Sequence, residues 1–104
     1  MALPEKRDHR IPLNDAVELA RQHRKDHPKE PKAHFFHREA FDALLKQPGA
    51  AGIRIYRGKG KGGEHHLVMV AVDGTGEDMT TGATIMEQDL PCPPFCPPAS
   101  PLSA

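Results

Sequence analysis

Aromatic mass is what this chain has least of. Tryptophan is absent, tyrosine occurs once and phenylalanine four times in 104 residues. Hydrophobic residues make up only 38%, so one modest core is the most that this length can enclose. That core has to lean on Phe35, Phe36, Phe41, Leu44, Leu45 and the apolar residues of one hairpin. Long apolar runs are missing too. Nothing approaches the roughly 20 residues of a membrane-spanning helix. The opening Met-Ala-Leu-Pro-Glu-Lys-Arg-Asp-His-Arg has no apolar centre of a secretory signal. No membrane association is expected, and the expected compartment is the cytoplasm, where thiols are normally reduced.

Basic residues are missing from the second part of the chain. All 14 Lys and Arg lie at or before Lys61 beside 8 acidic residues, a net of +6; the remainder holds 6 acidic residues and no Lys or Arg, a net of −6. The formal charge of the whole is zero, which argues against a general binder of nucleic acid or other polyanions. Oppositely charged halves complement each other inside the fold or between subunits. A basic face for an anionic partner is the sharper alternative.

β-branched residues cluster in one place, Gly52 to Asp73, which reads as two strands joined by a glycine–lysine loop. In the first strand Ile53 and Ile55 share one face, Arg54 and Tyr56 the other. The second strand is apolar on both faces, with Leu67, Met69 and Ala71 on one and Val68, Val70 and Val72 on the other. Such a strand is normally covered on both sides, and an isolated hairpin is marginal in water. Two short helices cover one face of so small a sheet. The expectation is that Val68, Val70 and Val72, or an open strand edge, meet a second copy of the chain; the alternative is that the tail folds back over them.

Residues 1–10 read as a flexible, charged N-terminus, 11–90 as a single α+β domain, and 91–104 as a Cys/Pro-rich tail. A first helix opens near Pro12, with Asn14 as its cap, and stops before Pro28; Leu13, Ala16, Val17 and Ala20 form its narrow apolar stripe. Lys29 to Ala33 reads as a polar loop. A second helix over about His37 to Gln47 carries Phe36, Ala40, Phe41, Leu44 and Leu45 on one side, is stapled at its entry by Phe35 and Phe36, and ends at Pro48-Gly49. It is expected to pack on the Ile53/Ile55 face. Ala83 to Met86 can add a third short strand. Six prolines fall within the eleven residues from Pro91 to Pro101, a composition that favours extended polyproline II.

Arg38-Glu39-Ala40-Phe41-Asp42-Ala43-Leu44-Leu45, Gly52-Ile53-Arg54-Ile55-Tyr56, Leu67 to Asp73 followed by Asp78-Met79, and the ending Cys-Pro-Pro-Phe-Cys-Pro-Pro together resemble a group of small uncharacterised bacterial proteins. The resemblance implies no activity, cofactor or site residues.

Cys92 and Cys96 are the first candidate site. A pair four positions apart can bind metal, close a small disulfide, or serve as buried apolar side chains while Phe95 lies against the core. Zinc takes four ligands, so histidine would have to supply the rest. The spacing is not that of a thioredoxin-like redox pair. Seven histidines are many for this length. His23 and His27 share a helix face but sit among Arg21, Arg24 and Lys25, whereas His65 and His66, adjacent in a strand, point to opposite faces. Arg54, Arg57, Lys59 and Lys61 around the glycine loop form a candidate anion site without the spacing of a P-loop or a dinucleotide fingerprint. Glu77, Asp78, Glu87 and Asp89 can gather around a hard cation but lack the pattern of an EF-hand loop. P-x-x-P spacings in the tail suit an aromatic-lined groove on a partner protein.

These residues favour a non-enzymatic, homo-oligomeric interaction protein with no cofactor, its contacts made by Val68, Val70, Val72 and Phe95. A metal- or redox-sensing protein using Cys92 and Cys96, with zinc as the metal, is the alternative. Anion binding through the basic loop is the weaker third reading.

Overall fold

A computed structural model of the chain describes residues 3–103. Its elements are α1 (Leu13–Asp26), β1 (Ala33–Phe35), α2 (Arg38–Leu45), β2 (Ala50–Lys59), β3 (His65–Asp73), β4 (Ile85–Met86) and β5 (Leu90–Cys92). The fold is α+β, with antiparallel strands in two sheets ordered β2-β3-β4 and β1-β5. The chain divides into two compact units, one built on Phe36–Asp89 and the other on Lys6–Phe35 with the chain from Leu90 onward. The first helix groups with the proline-rich end.

The unit built on Phe36–Asp89 is organised by the hairpin. β2 and β3 pair from Lys59↔His65 down to Gly52↔Val72, with a register shift between Ala50 and Gly52. The loop closes through Gly60 N–H donating to the Glu64 carbonyl at 2.8 Å, and Gly63 takes a positive φ of 85° that favours glycine. β4 adds the third strand, Met69↔Met86 and Val70↔Ile85. α2 covers the face that carries Ile53. Leu44, Met69 and Ala71 form the buried cluster, with Phe36, Ala40, Ala50, Ile53, Met79 and Met86 packed around it. Phe36 precedes the N-cap His37, and its ring meets Phe41 edge-on at 6.3 Å, the staple that fixes the helix entry. At the other end the Gln47 side chain donates to the Leu44 carbonyl and accepts from the Thr84 N–H, tying the helix to the approach of β4.

In the second unit, α1 begins two residues earlier than its expected cap allows. Pro12 is the N-cap in an extended conformation, its carbonyl accepting from Asp15 and Ala16, so Asn14 lies inside the first turn and caps nothing. The stretch read as a polar loop contains β1, and the tail read as extended polyproline II starts as β5. Their register is Ala33↔Cys92, His34↔Pro91 and Phe35↔Leu90. Pro91 is tolerated because a two-stranded ribbon consists only of edge strands. After β5 the chain turns, with Phe95 N–H donating to the Pro91 carbonyl at 2.9 Å. Arg24 and Lys32 then donate to the carbonyls of Leu102 and Ser103, which holds the chain end to α1 and β1.

Candidate functional site

The valine face of β3 is where the sequence predicted contact with another molecule. Val70 and Val72 are only 3% and 4% exposed within one chain, and Val68 is half-buried. Their neighbours explain it. Val70 lies between Arg54 and Ile85, and Val72 between Gly52 and Asp78, which forms a bridge with it after the chain turns at 73–77. That turn is held by Asp73, whose carboxylate accepts from Thr75 Oγ1, Thr75 N–H and Glu77 N–H; these bonds keep the Asp73 carboxyl below the usual range. Val70 and Val72 are therefore not presented to a partner.

What the face presents instead is polar. Arg54 and Tyr56, two positions apart on β2, both reach the Asp78 carboxylate. Arg54 also donates to the Gly76 carbonyl at 3.2 Å. The Tyr56 hydroxyl, then the Arg54 guanidinium, hold the Asp78 carboxyl below the usual range. Donation to Asp78 raises the Tyr56 hydroxyl above its ordinary 10.0, and the same carboxylate raises Arg54. Arg54 and Tyr56 were readable as face partners in the sequence, but Asp78 was not, because only the β3 turn brings it back.

The basic loop does not gather its four cations into one site. Arg54 is on the valine face and engaged by Asp78, whereas Arg57 and Lys59 alternate to the opposite face with Ile53 and Ile55. Lys61 stands exposed at the tip. The Glu64 side chain folds over the glycines there: a Cβ on Gly60 would meet its Oε1 at 1.8 Å. Hydrogen bonding from its own backbone N–H is the main cause that keeps the Glu64 carboxyl low.

Of the four acidic residues expected around a cation, Glu77 and Asp78 belong to the Asp73 turn. Glu87 and Asp89 instead approach His66. His66 Nδ1 is 3.8 Å from Glu87 Oε1, and its Nε2 is 3.6 Å from Glu64 Oε1. One ligand atom from each of His66, Glu87 and Asp89 lies within 4.8 Å of the others. His23 and His27 stack at 5.0 Å between ring centroids, and both face Glu30, with His27 Nδ1 at 2.9 Å.

Cys92 and Cys96 are joined by a disulfide, so neither sulfur is a thiolate available to a metal in this state. The bridge closes the turn after β5. With Ala33, His34, Phe35, Leu90, Phe95 and Pro97 the two cysteines line a largely apolar groove of about 510 Å³, on which Phe35 and Phe95 stand exposed. No helix among the described residues is long and apolar enough to cross a membrane. Comparison with protein-family models, curated proteins and solved structures finds no match to this chain.

Proposed function

We propose that this chain is a non-enzymatic protein-interaction module that associates with further copies of itself, using the outer edge of β2 and not the valine face. The carrying observation is the strand order β2-β3-β4, which leaves ten residues of β2, Ala50–Lys59, with a partner on one side only. β2 contains no proline, and Ile55 at its middle is 52% exposed. An edge of that length with an uncovered apolar centre is a template for strand addition. Light scattering coupled to gel filtration over a wide concentration range tests it. The expected result is a reversible dimer or larger assembly that Ile55→Asp returns to monomer with the helical and sheet signal intact. A wild-type chain that stays monomeric at high concentration, or an assembly indifferent to Ile55→Asp, removes the reading.

A redox-responsive role is the second reading, and the Cys92–Cys96 disulfide favours it. Disulfides persist in oxidising compartments and are reduced in the cytoplasm. A change from oxidising to reducing surroundings would thus convert a closed turn into an open one beside the Phe35/Phe95 groove. A reduced chain whose ribbon resonances match those of the oxidised chain would remove this reading.

A further inference from the structure

We propose that His66, Glu87 and Asp89 form a binding site for a divalent transition cation of the zinc class, with Glu64 holding the imidazole from its other side. The three residues come together through the sheet. β4 pairs with β3 at Met69↔Met86, which carries the residues after Met86 back along the start of β3. Glu87 Oε1 then reaches 3.8 Å from His66 Nδ1, and Asp89 is held beside the same strand by accepting from the Leu67 N–H at 3.4 Å. Gln88, between the two carboxylates, turns the chain with a φ of 58°.

The geometry and the donor set fit this ion. Zinc bonds to imidazole and carboxylate of about 2.0–2.1 Å imply tetrahedral ligand–ligand distances of about 3.3–3.4 Å. The 3.8 Å separation of Nδ1 and Oε1 therefore needs a contraction of about half an ångström, which the exposed Glu87 side chain supplies by rotating, and the Asp89 oxygen, within 4.8 Å of the others, closes by about 1.5 Å at most. A ligating imidazole characteristically gives its second N–H to a carboxylate, which fixes its tautomer. Glu64 Oε1, 3.6 Å from His66 Nε2, stands in that position. One imidazole with two carboxylates suits zinc and its neighbours, whereas magnesium and calcium prefer all-oxygen shells. Electrostatics point the same way: three carboxylates, those of Glu64, Glu87 and Asp89, converge on one imidazole. Three protein ligands leave a fourth position for water or an exogenous ligand.

Calorimetric titration of the chelator-stripped full chain with Zn²⁺ alone is the test. Wild type is expected to bind one ion per chain at this site. His66→Ala and Glu87→Gln should each weaken binding by about tenfold or more, and Glu64→Gln by about tenfold, the lower end of the range seen for groups that hold a ligand in place. Glu87 is exposed, so Glu87→Gln decides the matter should His66→Ala fail to fold. His23→Ala/His27→Ala should leave this binding unchanged. Absence of Zn²⁺ binding, binding that survives His66→Ala or Glu87→Gln, binding lost only in the His23/His27 variant, or equal binding of Mg²⁺ would each overturn the proposal.

Discussion

Leu44 and Leu45 are adjacent in α2 and equally apolar, yet they are not equivalent, and this offers a sharp check on the fold. Leu44 is 0% exposed and belongs to the cluster with Met69 and Ala71; Leu45 is 48% exposed. Leu44→Ala removes three buried carbons at about 0.8 kcal/mol each. The cavity left behind adds about 1–2 kcal/mol, because so small a core relaxes only in part; the total is about 3–4 kcal/mol, inside the range measured for buried leucines. Leu45→Ala forfeits about half of the transfer and opens no cavity, while alanine is the better helix former, so its cost is about 1 kcal/mol or less. For a chain of this length total stability is about 5–15 kcal/mol, and the first variant removes a large share of it. The assay is urea unfolding followed by tyrosine emission, since the chain has one tyrosine and no tryptophan and Tyr56 sits on β2. With a urea dependence of about 1.5 kcal/mol per molar, Leu44→Ala should lower the midpoint by about 2 M and Leu45→Ala by well under 1 M. Equal midpoints for the two variants would refute the placement of α2 on the sheet.

The Cys92–Cys96 bridge spans four positions, so loop-closure entropy gives it about 2 kcal/mol. Reductant should lower the melting temperature of wild type and leave the Cys92→Ala/Cys96→Ala variant unmoved, and identical wild-type melts with and without reductant would count against the bridge. Tyr56, whose hydroxyl donates to Asp78, should ionise above its ordinary 10.0; the stabilisation that this bond contributes is complete below that value and fades as pH rises through the folded one. Asp78, held low by Tyr56 and Arg54, works in the opposite sense: its contribution is present above the ordinary 3.8 and is lost as pH falls through the lower folded value. Ultraviolet titration of the single tyrosine should therefore show a midpoint that Asp78→Asn brings back down, and an unchanged midpoint would break the triad.

The hairpin was legible because its signals are local: alternation in Ile53-Arg54-Ile55-Tyr56, a doubly apolar run from Leu67 to Val72, and glycines between them. α2 was legible for the same reason, through its stripe and an entry staple that was expected from Phe35 and Phe36 and is made by Phe36 alone, Phe35 ending β1, and β4 fell within the expected Ala83–Met86. The β1–β5 ribbon was not. Its strands have three residues each, one contains Pro91, and their pairing joins positions such as Ala33 and Cys92 that no local pattern connects. The polar sites were half legible. Arg54 with Tyr56 follows from period-2 spacing, and Glu87 with Asp89 from their shared charge, but Asp78 and His66 join them only through the register of β3 with its neighbours. The burial of Val70 and Val72 was misjudged for a related reason. No helix is needed on that face, because Arg54, Asp78 and Ile85, single residues on the same sheet face, flank those valines.

The charge division of the sequence acquires a direction in the sheet, and that direction bears on how copies would associate. β2, at one edge, carries Arg54, Arg57 and Lys59; the segment following β4, the opposite edge strand, carries Glu87 and Asp89. A two-fold contact of β2 with β2 brings the basic residues of both copies to one seam. Edge lysines and arginines discourage such pairing, so this dimer should tighten as salt screens the repulsion over a Debye length of about 10 Å or less. Head-to-tail contact of β2 with the β4 edge of the next copy sets basic against acidic residues, weakens with salt and builds a ring or an open filament instead of a two-fold dimer. Arg57→Glu separates the two: it relieves the two-fold seam and opposes the head-to-tail one. Gel filtration of wild type and Arg57→Glu at low and high salt thus reads out the geometry. The two-residue length of β4 gives the head-to-tail mode few backbone bonds, so the two-fold dimer, strengthened by salt and by Arg57→Glu, is the expected outcome. An assembly that dissolves in salt would place the contact on the acidic edge instead.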